Sequence, residues 1–181
     1  MKIVATALLS AISAASLTVA AFADQPTDEA AFVLIVAAAQ ADSAKASNDM
    51  QRGGALAKRE RDVCNMMKGI KGAAKDWTGE ITKLDSNSDG RGILQIKIAE
   101  GIYLQTANND FSDIPYKTLI DPTSKLFESA SALSVGQKVV FSGRFLAAPE
   151  KNNCLAELSL TLNGKLSEPE FVFRFSDIAA Q

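Results

Sequence analysis

The chemistry open to this chain is bounded first by an absence, since its 181 residues include no histidine. Ser-His-Asp and Cys-His nucleophiles, zinc sites built on imidazole and the usual near-neutral general base are therefore excluded. No Gly-x-Ser-x-Gly occurs, and no serine has a lysine three places on. Glu168 and Glu170 lie two apart and so share one face of a strand. They flank Pro169, where a turn role suffices, and nothing around them in sequence would push two carboxyl pKa values apart for glycoside hydrolysis. A hydrolase with an unrecognised carboxylate pair stays open as a minor reading.

Asp85, Asn87 and Asp89, followed by Gly90, match the first half of a calcium loop, with ligands at positions 1, 3 and 5 and glycine at 6. The twelfth position should be a bidentate acid, and here it is Ile96. That excludes a full EF-hand. A tight turn built from residues that tolerate left-handed backbone explains the same pattern, and it is the preferred reading. No cofactor is expected.

The two cysteines, Cys64 and Cys154, are an even pair, which in an oxidising compartment most simply makes one disulfide. Two free buried thiols are the alternative. A bridge closing a loop of about 90 residues contributes roughly 4 kcal/mol by restricting the unfolded chain, less any strain.

The compartment is suggested by Met1 to Ala23. Lys2 precedes an apolar stretch, and Ala21-Phe22-Ala23 sets small residues at −3 and −1 of a cut before Asp24, the pattern of a secretory signal peptide. An uncleaved membrane anchor is the rival, but Ser10, Ser13, Ser16 and Thr18 dilute the stretch. A periplasmic or secreted location follows. Cleavage takes one of the 19 basic residues and none of the 21 acidic ones, leaving a net charge of −3. That balance offers nucleic acid or anionic lipid no long-range attraction.

The elements that must position these residues fall into two parts, a helical segment over 24–75 and a β domain over 76–181. Thr27 is placed to cap a first helix carrying Asp28 and Glu29 in its first turn. Phe32, Ile35, Val36 and Ala39 follow i, i+3, i+4, i+7 spacing, which suits packing against the β domain or a second subunit better than membrane insertion. Gly53-Gly54 is expected to break the helical pattern. A second helix then runs from Ala55 to about Met67, with Leu56, Val63, Met66 and Met67 apolar. Its mixed charges, Lys58 to Asp62, are expected to be a solvated face. Residues 69–75 read as a linker.

Strand patterns follow. Trp77, Gly79 and Ile81 alternate inward, with Trp77 read as core. Leu94, Ile96 and Ile98 face in from the second strand, and Ile102, Leu104 and Thr106 from the third. Pro122 opens a helix through Leu133 with Leu126, Phe127, Ala130 and Leu133 as its buried stripe. Val139, Phe141, Gly143 and Phe145 face in from the fourth strand. Ala156, Leu158, Leu160 and Leu162 predict a fifth, ended by a turn at Asn163-Gly164. Phe171, Phe173 and Phe175 predict a terminal strand that closes or extends the sheet. The order suggests a mainly β, OB-like, five- to six-stranded Greek-key barrel with one helix between strands three and four, preceded by N-terminal helices.

The segments Trp77-Thr-Gly-Glu, Ser86-Asn-Ser-Asp-Gly, Leu133-Ser-Val-Gly-Gln-Lys-Val-Val-Phe-Ser-Gly and Glu168-Pro-Glu-Phe-Val-Phe-Arg-Phe-Ser resemble those of uncharacterised exported bacterial proteins with an OB-like, tRNA-anticodon-binding-type barrel. The likeness covers most of Asp76 to Ile178 and implies a fold, with no catalytic residues to carry over. Barrels of this kind bind oligonucleotides, oligosaccharides or proteins across strands two and three. There the outward positions are Gln95, Lys97, Tyr103 and Gln105, with Arg144 adjacent from strand four. Lys97, Tyr103, Gln105 and Arg144 are thus the expected contact residues, although ordinary solvated side chains would look the same. One tyrosine in no basic groove is thin for single-stranded nucleic acid. The expected function is a non-enzymatic binding module for a protein or envelope component. An oligosaccharide or other small extracytoplasmic ligand is the alternative.

Overall fold

The computed structural model describes residues 25–148 and 153–181. The expected signal peptide lies outside the described residues. Helix α1 spans Thr27–Lys45, and Pro26 rather than Thr27 stands at its N-cap, with no side-chain capping bond. Asp28 and Glu29 occupy the positive end of the helix dipole and Lys45 the negative end. Phe32, Val36 and Ala39 are buried at the expected spacing, and Glu29 and Ser43 extend the same stripe.

Helix α2 runs Asp49–Ile70 under an Asn48 cap whose side chain accepts from the Gln51 N–H. It passes through Gly53 and Gly54, both with open space around them, so the expected break does not occur. Two helical glycines cost about 2 kcal/mol relative to alanine. The Asn48 cap and the packing of Val63 and Met67 into the core outweigh that cost. The helix stops at Lys71 and Gly72, both in left-handed backbone, where the Gly72 N–H donates to the Met67 carbonyl. The expected linker therefore shrinks to this cap.

Strands β1 (Ala73–Ser86), β2 (Gly92–Ala99) and β3 (Ile102–Gln105) form an antiparallel meander. The four-residue helix α3 (Asp110–Asp113) and then α4 (Lys125–Ser131) intervene before β4 (Lys138–Phe145). Helix α5 (Leu162–Ser167) leads into β5 (Glu170–Ala180). The five strands make a mixed sheet that closes in a ring, in the order β1-β2-β3-β5-β4 and back to β1. Only the β3–β5 pairing is parallel. No helix among the described residues is long and apolar enough to cross a membrane.

The ring interior holds Ile81, Leu94, Ile96, Leu104, Val139 and Phe141, all at 0–1 % exposure, as the alternation predicts. Phe32 reaches in from α1 and meets Trp77, Phe145 and Phe171 with ring centroids 5.7, 5.0 and 5.1 Å away. Burying such a ring contributes about 2–3 kcal/mol. Gly143 leaves the space for Phe173, since a Cβ there would lie 2.3 Å from that ring.

Three boundaries differ from expectation. Helix α4 starts under Ser124 rather than at Pro122, because Asp121 instead folds a turn onto the Thr123 N–H and hydroxyl. The fifth strand predicted from Ala156 to Leu162 is absent. That stretch touches β5 only at isolated points, among them Leu158 N–H to the Glu170 carbonyl and Val172 N–H to the Ala156 carbonyl. Strand β4 ends at the Phe145–Phe173 pair, so only Glu170 to Val172 of β5 are left for this stretch to pair with, too short an edge for the predicted strand. Leu160 is left 92 % exposed, and Asn163-Gly164 lies inside α5, capped by the Thr161 hydroxyl. The predicted terminal strand is present as β5, longer than expected.

The Cys64–Cys154 disulfide joins α2 to the segment before α5, with Cα atoms 5.5 Å apart. Beside it Arg59 is buried, against the expectation of a fully solvated charge run. Its guanidinium donates to the Glu157 carboxylate and the Lys165 carbonyl and lies 5.3 Å from the Phe171 ring centre. Burial pulls its pKa below the usual arginine range, and Glu157 opposes that. The exposed Lys58–Asp62 pair, at 2.8 Å, is the part of the run that behaves as expected.

Candidate functional site

Strand register brings together residues that the sequence leaves far apart. Lys97 on β2 lies directly opposite Tyr103 on β3 and Glu80 on β1. Glu80 is also opposite Lys138 on β4, and Tyr103 is opposite Glu170 on β5. Directly paired residues project from the same face of a sheet. Their chain neighbours Ile81, Ile96, Ile98, Leu104, Val139 and Phe171 are buried, so the row Glu170, Tyr103, Lys97, Glu80, Lys138 stands on the outer face. Gly79 permits the approach of β1 to β2 beside it, since a Cβ there would fall 2.4 Å from Ile96 and 2.8 Å from the Lys97 carbonyl.

Part of this row borders an open cleft of about 310 Å³ with mixed walls, where Glu80, Lys97, Glu100 and Lys138 stand beside Gly79, Ile98 and Ala99. Gln25, just before α1, lines the cleft, and two carboxylates fasten the first turn of that helix beside it. Glu29, fully buried, accepts from the Thr78 N–H and the Gln25 amide, each at 2.9 Å. Asp28 accepts from the Trp77 indole N–H at 3.1 Å. Burial pushes the Glu29 pKa up, while the Gln25 and Thr78 donors pull it back. With its oxygens committed to these donors, Glu29 serves as a fastener of the helix rather than a free acid.

A second polar level lies beside the first. Thr82 donates to the Gln95 amide oxygen at 2.8 Å, and the Gln95 amide nitrogen donates to Gln105 at 2.9 Å. Gln105 was expected on the outward contact surface, but it is 1 % exposed. Its pairing opposite both Gln95 and Val172, in the seam that closes the ring, accounts for that burial. Its amide nitrogen has no hydrogen-bond partner among the described residues.

Of the four expected contact residues, the structure brings Lys97, Tyr103 and Gln105 together and leaves Arg144 apart. Strand β4 pairs with β1 and β5, never with β2 or β3, so Arg144 sits opposite Ala73 and Arg174 and donates to the Lys71 carbonyl at 3.0 Å. At the candidate calcium loop the Asn87 oxygen accepts from the Asp89 and Arg91 amides, and Gly90 takes a positive φ of 75°. Asp85 accepts from the Ser86 N–H. No group of three His, Cys, Asp or Glu side chains able to hold a metal ion occurs among the described residues.

Sequence reasoning missed Glu80 and Lys138 as members of the row. Both occupy outward strand positions, but only the long-range register places them beside Lys97. No protein-family model, curated protein or solved structure matches this chain.

Proposed function

We propose that the chain is an exported, non-enzymatic binding module with an OB-like Greek-key barrel, which contacts a protein or envelope component through the outer face of β1, β2 and β3. The observation that carries this reading is the cross-strand row of Tyr103, Lys97, Glu80 and Lys138 beside an open cleft. Alternating charges at neighbouring positions match a partner that itself carries both signs, such as a polypeptide segment. The OB-like reading draws support from a ring in which β5 inserts between β3 and β4, a connection of the Greek-key kind. The disulfide supports an oxidising compartment. The proposed family remains the exported bacterial proteins named for their sequence resemblance.

The test is affinity capture from native envelopes with a photo-crosslinker placed at Tyr103. A specific crosslinked polypeptide that disappears in Lys97→Ala/Glu80→Ala is the expected result. Retention of the same partner by the folded double variant would show that the face is not used.

The oligosaccharide reading has one observation in its favour, the Gln95 and Gln105 amides beside the half-buried Tyr103 ring. Calorimetric titration with cell-wall glycan fragments separates it from the leading reading, since saturable heat that Tyr103→Ala removes would favour sugar.

A further inference from the structure

We infer that this chain self-associates by a reciprocal contact, in which Phe111 and Ile114 of one copy enter an apolar groove beside α4 of a second copy while the second returns the same contact. Phe111 is 84 % exposed and Ile114 is 59 % exposed, one turn apart on α3 and the bend after it. Neighbouring apolar side chains held in water mark an interaction surface far more strongly than a scattered one does.

The knob is held in place from below. Asn109 and Ser112 cap α3 reciprocally. Buried Asp113 accepts from the backbone and hydroxyl of Thr118, and from the Leu119 N–H at 3.2 Å. Arg174 donates to the Tyr116 and Lys117 carbonyls. A loop so tied loses little freedom on docking, which lowers the entropic cost of association.

The groove has a volume of about 310 Å³, and Leu84, Ile93, Ile120, Phe127 and Ala130 give it apolar walls. Knob and groove flank the same turn between β1 and β2. On one side Asn87 and Arg91 bond Asp110 at 2.7 and 3.4 Å. On the other, Asp85 and Ser86 line the groove. A two-fold interface requires each copy to present both halves of the contact, and this chain carries both an apolar knob and an apolar groove.

Charge selects the second copy as occupant. Exposed Lys117 stands beside the knob, while exposed Asp85 stands on the groove rim. Asp110, the acid on the knob itself, is already matched by Arg91. A second copy therefore meets the groove with an apolar knob and a cation, and does so twice across the axis.

The experiment is sedimentation of the full mature chain from about 1 to 500 µM, a range that captures a reversible dimer. Wild type, Phe111→Ser, Ser131→Trp and an equimolar mixture of the two variants are compared, with melting curves confirming folded protein. Wild type should show a monomer–dimer equilibrium, and each variant alone should dimerise at least about tenfold more weakly. The mixture should recover association, because the intact groove of Phe111→Ser can take the intact knob of Ser131→Trp. Lys117→Asp should weaken the dimer and Asp85→Lys added to it should restore it, an arm that leaves the apolar walls of the groove unchanged. A monomer throughout the range overturns the inference, as do variants that dimerise like wild type, a mixture that recovers nothing, or a charge swap that fails to restore. A monomer that instead floats with phosphatidylglycerol vesicles through Phe111 would make the knob a lipid anchor and overturn it equally.

Discussion

Acidic and basic side chains meet against this ring in two contrasting ways. On the outer face of β1, β2 and β4, Lys97, Glu80 and Lys138 stand in register, yet no ion pair within 4 Å joins them, and they border open solvent. On the α2 side, Arg59 and Glu157 are sealed at 2 % and 5 % side-chain exposure and bonded to one another. Exposed charges in water gain little from each other and remain free for a partner. Buried charges are costly to strip of water, so each must keep its counterpart. The first arrangement suits recognition and the second suits architecture.

Breaking the buried side should therefore have the largest effect. Arg59→Ala leaves the Glu157 carboxylate buried beside the disulfide without its cation, and should lower unfolding free energy by about 3–5 kcal/mol in urea denaturation. The double change Arg59→Met/Glu157→Leu, which removes both charges, should recover most of that loss. A double variant no more stable than the single one would show that the pair is held for something other than charge balance.

Next in size is the disulfide. Cys64→Ala/Cys154→Ala should cost roughly 4 kcal/mol, less any strain the bridge imposes. Non-reducing mass spectrometry of native protein should find a mass two hydrogen atoms below the dithiol, with no thiol open to alkylation.

The fastener between the two regions gives a pH test. Burial raises the Glu29 pKa above its ordinary 4.5, so the folded state holds that proton more tightly than the unfolded chain. The resulting stabilisation is full below the unfolded value and is lost as pH rises through the folded one. Glu29→Gln keeps an acceptor for Thr78 without a charge, so its stability relative to wild type should rise as pH increases from 4 to 7, read by thermal melts. A constant difference across that range would place Glu29 as a charge that folding does not disfavour.

The outer row should show the smallest stability effect. Lys97→Ala/Glu80→Ala should change unfolding free energy by only about 0.5 kcal/mol per site while removing partner capture. A large loss of stability there would erase the contrast between the two regions.

Local patterns in the sequence were enough to find what depends on local periodicity. The stripe Phe32, Val36, Ala39 and the alternation of Leu94, Ile96, Ile98 and of Val139, Phe141, Phe145 all face the core as read. The disulfide followed from cysteine number. What escaped depends on partners distant in the chain. The leucines at 158, 160 and 162 alternate like a strand, but the edge of β5 left open past the end of β4 is only Glu170 to Val172, too short to hold one. Arg59 sits in a run of charges like any solvated face, and its burial depends on distant partners, Glu157, the Lys165 carbonyl and the Phe171 ring. The outer row is likewise a product of register, which single-strand patterns do not contain.

Ring closure also sets a timetable. The seam between β3 and β4 is filled by β5, the last eleven-residue strand of the chain, ending one residue before Gln181. A chain emerging from its N-terminus can form the helices, the β1–β2–β3 meander and the β1–β4 pair early, but the open edges of β3 and β4 stay unpaired until β5 arrives. Non-local pairing of this kind is slow. The ring therefore cannot close before β5 has emerged. A truncation of even the last few residues before Ala180 would strip β4 of the partners that Val139 and Val140 find at Ala180 and Ala179.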